Sequence, residues 1–137
     1  MPKNDKVAAI VQEWIVKAEN DLLTASHTLK LGKKCPTDTV CFHAQQCAEK
    51  YIKSFLVGED IKFPRTHDIE VLVSLLPKHI HFPLTIEQQR ILTEYAAAAR
   101  YPGSYEPIPL TEAREAVKLA RRVKKEIRRL SEAKPLF

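Results

Sequence analysis

Nine prolines and only three glycines, Gly32, Gly58 and Gly103, punctuate this chain of 137 residues, and they cluster between long stretches of 3.6-residue apolar periodicity. Breakers this few and this grouped leave room for long helices and little else. No alternating apolar and polar run is bounded by hairpin turns, and no repeat or low-complexity segment interrupts the pattern. The chain is therefore expected to be all-α: a single domain over 1–137, folded as an up-and-down bundle of four or five helices. With 45% hydrophobic and 28% charged residues, it can bury a core without staples.

The periodicity predicts a first helix from about Asp5 to Leu31, ending at Gly32, with Val7, Ile10, Val11, Trp14, Ala18, Leu22, Ala25 and Leu29 on its core face. Val16 and Leu23 form a thinner apolar stripe on the opposite side, a pointer to a partner helix. A second helix, capped by Thr37 or Asp38, runs to about Val57 and stops at Gly58, turning Cys41, Ala44, Ala48, Tyr51, Ile52 and Phe55 inward. His43, Gln46 and Lys50 fall opposite that core, where the ordinary reading is a solvated face. Thr66 or Asp68 caps a short third helix through Leu76. Thr85-Ile86-Glu87-Gln88 has the form of a capping box and opens a fourth helix, with Ile91, Leu92, Tyr95 and Ala99 inward and an end near Pro102-Gly103. Thr111 is the expected N-cap of a last helix that buries Ala113, Ala116, Val117, Ala120, Val123, Ile127 and Leu130.

Charge is distributed unevenly. The net charge is +5, yet residues 1–110 carry thirteen Lys/Arg against thirteen Asp/Glu, so the whole excess, nine against four, lies on Thr111–Phe137. Arg114, Lys118, Arg121 and Lys125 recur along one side of the last helix, which makes nucleic acid conceivable as a partner, but no aromatic residue is interleaved for base stacking. A solvated face is the simpler expectation.

Several chemistries are excluded. Phosphate-loop and dinucleotide motifs need closely spaced glycines. Di-iron bundles need Glu-x-x-His pairs, and none of the five histidines has a Glu three residues before it. Cys35, Cys41 and Cys47 suit neither a disulfide framework nor a zinc site and read as small core or surface thiols. His79-x-His81 with His67 is a weak metal-like spacing in a proline-flanked loop; no metal or cofactor is expected. No stretch approaches the roughly 20 apolar residues of a membrane span, and the expected location is the cytoplasm.

What remains is a set of ordered blocks: Trp14-x-x-Lys17-Ala18-x-x-Asp21-Leu22, Cys41-Phe42-His43-Ala44-Gln45-Gln46-Cys47-Ala48-Glu49-Lys50, Pro64-Arg65-Thr66-His67-Asp68 and Ala99-Arg100-Tyr101-Pro102. In this combination the sequence resembles the HEPN family of small prokaryotic helical proteins, from about Trp14 to Leu130. The resemblance implies a helical bundle that pairs as a homodimer, giving the Val16 and Leu23 stripe a partner. It also implies one of two functional kinds. Many family members are metal-independent ribonucleases, often toxins of toxin-antitoxin pairs, with an Arg followed after four to six residues by His. Others lack that signature and bind nucleotides or accompany a small nucleotidyltransferase.

Here Arg100 is followed by Tyr101, Pro102, Gly103, Ser104, Tyr105, Glu106 and Pro107, with no His, and no other Arg has a His five to seven positions later. Cleavage through a 2′-hydroxyl needs a general base beside a cation, and the signature that supplies them is missing. The expectation is thus a non-catalytic, nucleotide-binding or nucleotidyltransferase-partner domain, with a degenerate ribonuclease or a purely structural module as alternatives. Arg65 and Arg100 are expected to hold phosphate oxygens, His43, Lys50, His67 and Asp68 to contribute polar contacts, and Tyr101 or Tyr105 to stack on a base.

Overall fold

The computed structural model describes residues 2–98 and 107–132. Among them are five α-helices and no strand: α1 (Pro2–Leu29), α2 (Thr37–Gly58), α3 (Ile69–Ser74), α4 (Ile86–Ala98) and α5 (Leu110–Glu132), with a single 3₁₀ turn at Gly32–Lys34. The all-α bundle expected from the sequence is what forms.

α2 is the central post. It packs most extensively on α1, then on α5 and α4, and touches α3. Antiparallel pairing of α1 with α2 follows from the contacts of Trp14 with Lys53 and of Asp21 with His43 and Lys50. α5 runs parallel to α2, since Thr37 donates to the Ile108 carbonyl near one end and Tyr51 feels Arg128 near the other. The four long helices therefore alternate up and down, with α3 as a short insertion. Enclosure on so many sides explains why α2 buries thirteen residues, polar ones included.

Most of the expected core is buried, from Ala18, Leu22 and Ala25 on α1 through Tyr51 and Ile52 on α2 to Val123 and Ile127 on α5. Leu119 joins it unannounced. Ile10 and Ile91, expected inward, stay 45% and 43% exposed. For Ile10 the reason is geometric: Gly58, the last residue of α2, lies against Val11, so the first turns of α1 overhang the end of their main neighbour. All three cysteines are buried free thiols, and burial pushes Cys41 and Cys47 each up to about 12. They are core residues, inert as nucleophiles near neutral pH.

Local signals explain the ends. Thr85 and Gln88 exchange the reciprocal bonds of a capping box, 2.9 and 3.1 Å. Asp68 caps α3 by accepting from the Val71 amide at 3.1 Å. α5 starts one residue before Thr111, with the Pro109 carbonyl receiving the Glu112 and Ala113 amides. Gly58 does not stop α2 by its own conformation. The stop is a Schellman motif: Asp60 takes φ 56°, its amide bonds the Val57 carbonyl, and the Ile61 amide bonds the Leu56 carbonyl at 2.9 Å.

An L-residue in that left-handed conformation carries a steric cost that glycine lacks. Asp60→Gly is expected to raise stability by up to about 1 kcal/mol and the β-branched Asp60→Val to lower it, read as urea midpoints at unchanged slope.

Candidate functional site

Two buried carboxylates organise the polar side of α2. Asp21, on α1, is 8% exposed and accepts from His43 Nδ1 at 2.8 Å and from Lys50 Nζ at 2.6 Å. His43 and Lys50 lie seven residues apart, two helical turns, so one carboxylate on the neighbouring helix can clamp both. Glu49, on α2 itself, is 3% exposed and is reached by three donors: Lys53 Nζ at 2.9 Å, Gln45 Nε2 at 3.0 Å and His67 Nδ1 at 2.8 Å. Gln45 also donates to the His67 carbonyl, at 2.9 Å, and accepts from Gln46 at 2.7 Å. The strand of loop between Ile61 and Asp68 is thereby tied down onto α2 at the position of His67.

The solvated face expected for His43, Gln46 and Lys50 is corrected by this geometry. All three are half-buried: His43 and Lys50 donate to Asp21 of the covering α1, and Gln46 donates to Gln45. Lys53 is buried too, its ammonium lying 5.5 Å from the Trp14 ring centre and 5.7 Å from that of Phe63, a pair of cation–π contacts that supplement its ion pair. The His43 ring meets Phe42 edge-on, with centroids 5.4 Å apart.

Burial alone would raise the Glu49 carboxyl. Hydrogen bonds from Lys53, Gln45 and His67 outweigh it and hold the group below its ordinary value of 4.5. Both histidines spend Nδ1–H on a carboxylate, which fixes the ring and leaves Nε2 as the nitrogen able to meet a ligand. His67 is the more open, with 52% of its side chain exposed against 27% for His43. Arg65 is exposed on the same loop, with no ion pair among the described residues.

Of the residues singled out from the sequence, His43 and Lys50 meet at Asp21, while His67 joins Glu49 and Arg65 stands nearby in sequence at the surface. Asp68 turns away to its cap on α3 and is braced by Thr66 Oγ1, which accepts the Asp68 amide at 3.0 Å. Arg100, Tyr101 and Tyr105 lie outside the described residues, as does Ala99. His79 and His81 are exposed, and among the described residues no three His, Cys, Asp or Glu side chains are grouped as a metal ion would need. The organising residues Asp21, Gln45, Glu49 and Lys53 were not among the expected ligands. Gln45, Glu49 and Lys53 recur at i, i+4 and i+8 along one line of α2, and that row of polar residues beside the core stripe was the available signal.

Residues 11–130 match the family described as the HEPN domain. Among solved structures, the chain is similar to TT1696 from Thermus thermophilus, with 27% identity, a TM-score of 0.73, and coverage of 87% of this chain and 96% of that one. It is also similar to ST0689, described as an archaeal HEPN homologue, with 28% identity, a TM-score of 0.65, and coverage of 86% and 94%. No curated protein matches this chain.

Glu49→Gln keeps the shape but strands the Lys53 ammonium, which predicts a loss of about 2–4 kcal/mol at neutral pH. Because the folded carboxyl is held below 4.5, its contribution is complete above that value and disappears as pH falls through the lowered one. Urea midpoints of wild type should therefore fall more steeply than those of the variant as the pH drops below about 4.5.

Proposed function

Because this chain belongs to the HEPN domain family, we propose that it is the non-catalytic kind: a homodimeric, nucleotide-binding domain that serves as partner subunit to a small nucleotidyltransferase. The observation that carries the reading is the double clamp on α2. Asp21 and Glu49 hold His43, Lys50, Lys53 and His67 in fixed positions along one side of the helix. Lys50 and Lys53 balance the two carboxylates, and Arg65, exposed two residues before His67, adds a positive charge suited to a phosphate group. Preorganisation of this sort reduces the ordering cost of binding. Val16 and Leu23, 47% and 59% exposed on the outer side of α1, support the homodimer as the apolar surface it would cover.

A second reading draws on one specific feature. His43 oriented by Asp21, with Lys50 on the same carboxylate, places an imidazole and a cation side by side, the pairing that metal-independent RNA cleavage requires. In that reading the protein is a ribonuclease toxin whose base and cation come from α2 instead of the family's Arg–His signature. A purely structural module would use neither feature.

These readings predict different results. Nucleoside mono-, di- or triphosphate should raise the melting temperature of the purified protein by several degrees at saturating concentration, since ligand at 100 times its Kd adds about 2.7 kcal/mol. Lys50→Ala and Arg100→Ala should each weaken that ligand about tenfold by calorimetry. No shift with any nucleotide overturns the binding reading. Cleavage of RNA in the presence of a chelator, abolished by His43→Ala, would establish the ribonuclease instead.

A further inference from the structure

The largest concentration of charge lies away from the α2 stripe. A groove of about 650 Å³ runs beside the second half of α5, lined by Arg121, Arg122, Lys124, Lys125, Arg128 and Arg129, with Leu22 and Pro83 at its edges and only Glu126 and Glu132 as acids of the lining. Lys124 is answered by Glu19 at 2.9 Å, and Arg129 by Glu126 at 2.6 Å. Among the described residues, Arg121 donates to the Ser26 hydroxyl, at 2.9 Å, and to no carboxylate. Arg122 and Lys125 make no ion pair with any described residue, so the groove keeps an excess of positive charge.

That groove does not overlap the clamp on α2. Glu19 and Asp21 are two residues apart on α1, about 200° around the helix axis, so Glu19 turns to α5 while Asp21 turns to the outer side of α2. Below the groove, Tyr51 donates to Glu19 and is fully buried, which anchors the carboxylate that holds Lys124.

We propose that this face of α5 binds the phosphate backbone of double-stranded nucleic acid without reading its sequence. Three features point there. The cations continue upstream as Lys118 and Arg114 on the same exposed side, and from Arg114 to Arg128 the helix extends about 21 Å, against which one duplex strand presents about six phosphates. An elongated, open row of this length suits a polymer better than a single nucleotide. No aromatic residue, Asn or Gln occurs in α5, which removes base stacking and adenine recognition and disfavours a single strand. Finally, the entire +5 charge of the chain resides on Thr111–Phe137.

Fluorescence anisotropy with labelled duplexes of about 20 base pairs, one RNA and one DNA, tests the proposal alongside a single strand of the same sequence and polyglutamate. At low salt at least one duplex should bind more tightly than the single strand or polyglutamate, and the two duplex arms tell which nucleic acid is preferred. Both substituted residues being exposed, the double variant Arg122→Gln/Lys125→Gln should fold, checked by circular dichroism, and keep any nucleotide-induced melting shift. It should lose at least tenfold in duplex affinity and lower the slope of log affinity against log salt by about 2. No duplex binding at low salt, unchanged affinity in the variant, or preference for the single strand overturns the proposal. Tighter binding of polyglutamate overturns it in favour of an acidic protein partner.

Discussion

A carboxylate taken out of water must be given donors, and the second helix of this bundle is built around that requirement. Enclosed by three long helices, α2 leaves little solvent for its own polar residues, and an unpaired charge at such depth costs several kcal/mol. Glu49 is consequently met by three donors and Asp21 by two. Satisfying Glu49 pins the loop before α3 through His67. Satisfying Asp21 ties α1 to α2 through His43 and Lys50. Interhelical register and the placement of nitrogen donors thus have one physical origin.

The same logic operates on the other side of α1. Glu19 collects the Tyr51 hydroxyl and the Lys124 ammonium, and these donors outweigh burial to keep its carboxyl below the ordinary value. α1 therefore carries acids at two positions that staple α2 and α5 to it while leaving the remaining cations of α5 uncovered. The fold thereby separates a compact, fixed polar cluster on α2 from a long open row of cations on α5.

Much of this architecture was legible in the sequence, because long amphipathic periods and grouped breakers determine helix number and order. α5 was read almost residue for residue, since its apolar and charged faces are sharply divided. α2 was harder: a helix covered on several sides keeps only a half-buried polar face, so His43, Gln46 and Lys50 looked fully solvated while being held by hydrogen bonds. Local pattern could not reveal that Asp21 and Lys50, 29 residues apart in sequence, share a bond, because that contact arises only when α1 and α2 pack antiparallel. Asp68 shows the converse, since its cap on α3 is a local interaction visible in sequence spacing alone.

Side-chain NMR of the histidine rings reads out whether the clamped nitrogens on α2 form the proposed phosphate-binding surface. When the protein is titrated with nucleoside triphosphates one at a time, the His43 and His67 ring resonances should move together and saturably, while those of the exposed His79 and His81 stay in place. Motion confined to His79 and His81, or none at all with any nucleotide, would contradict the proposal.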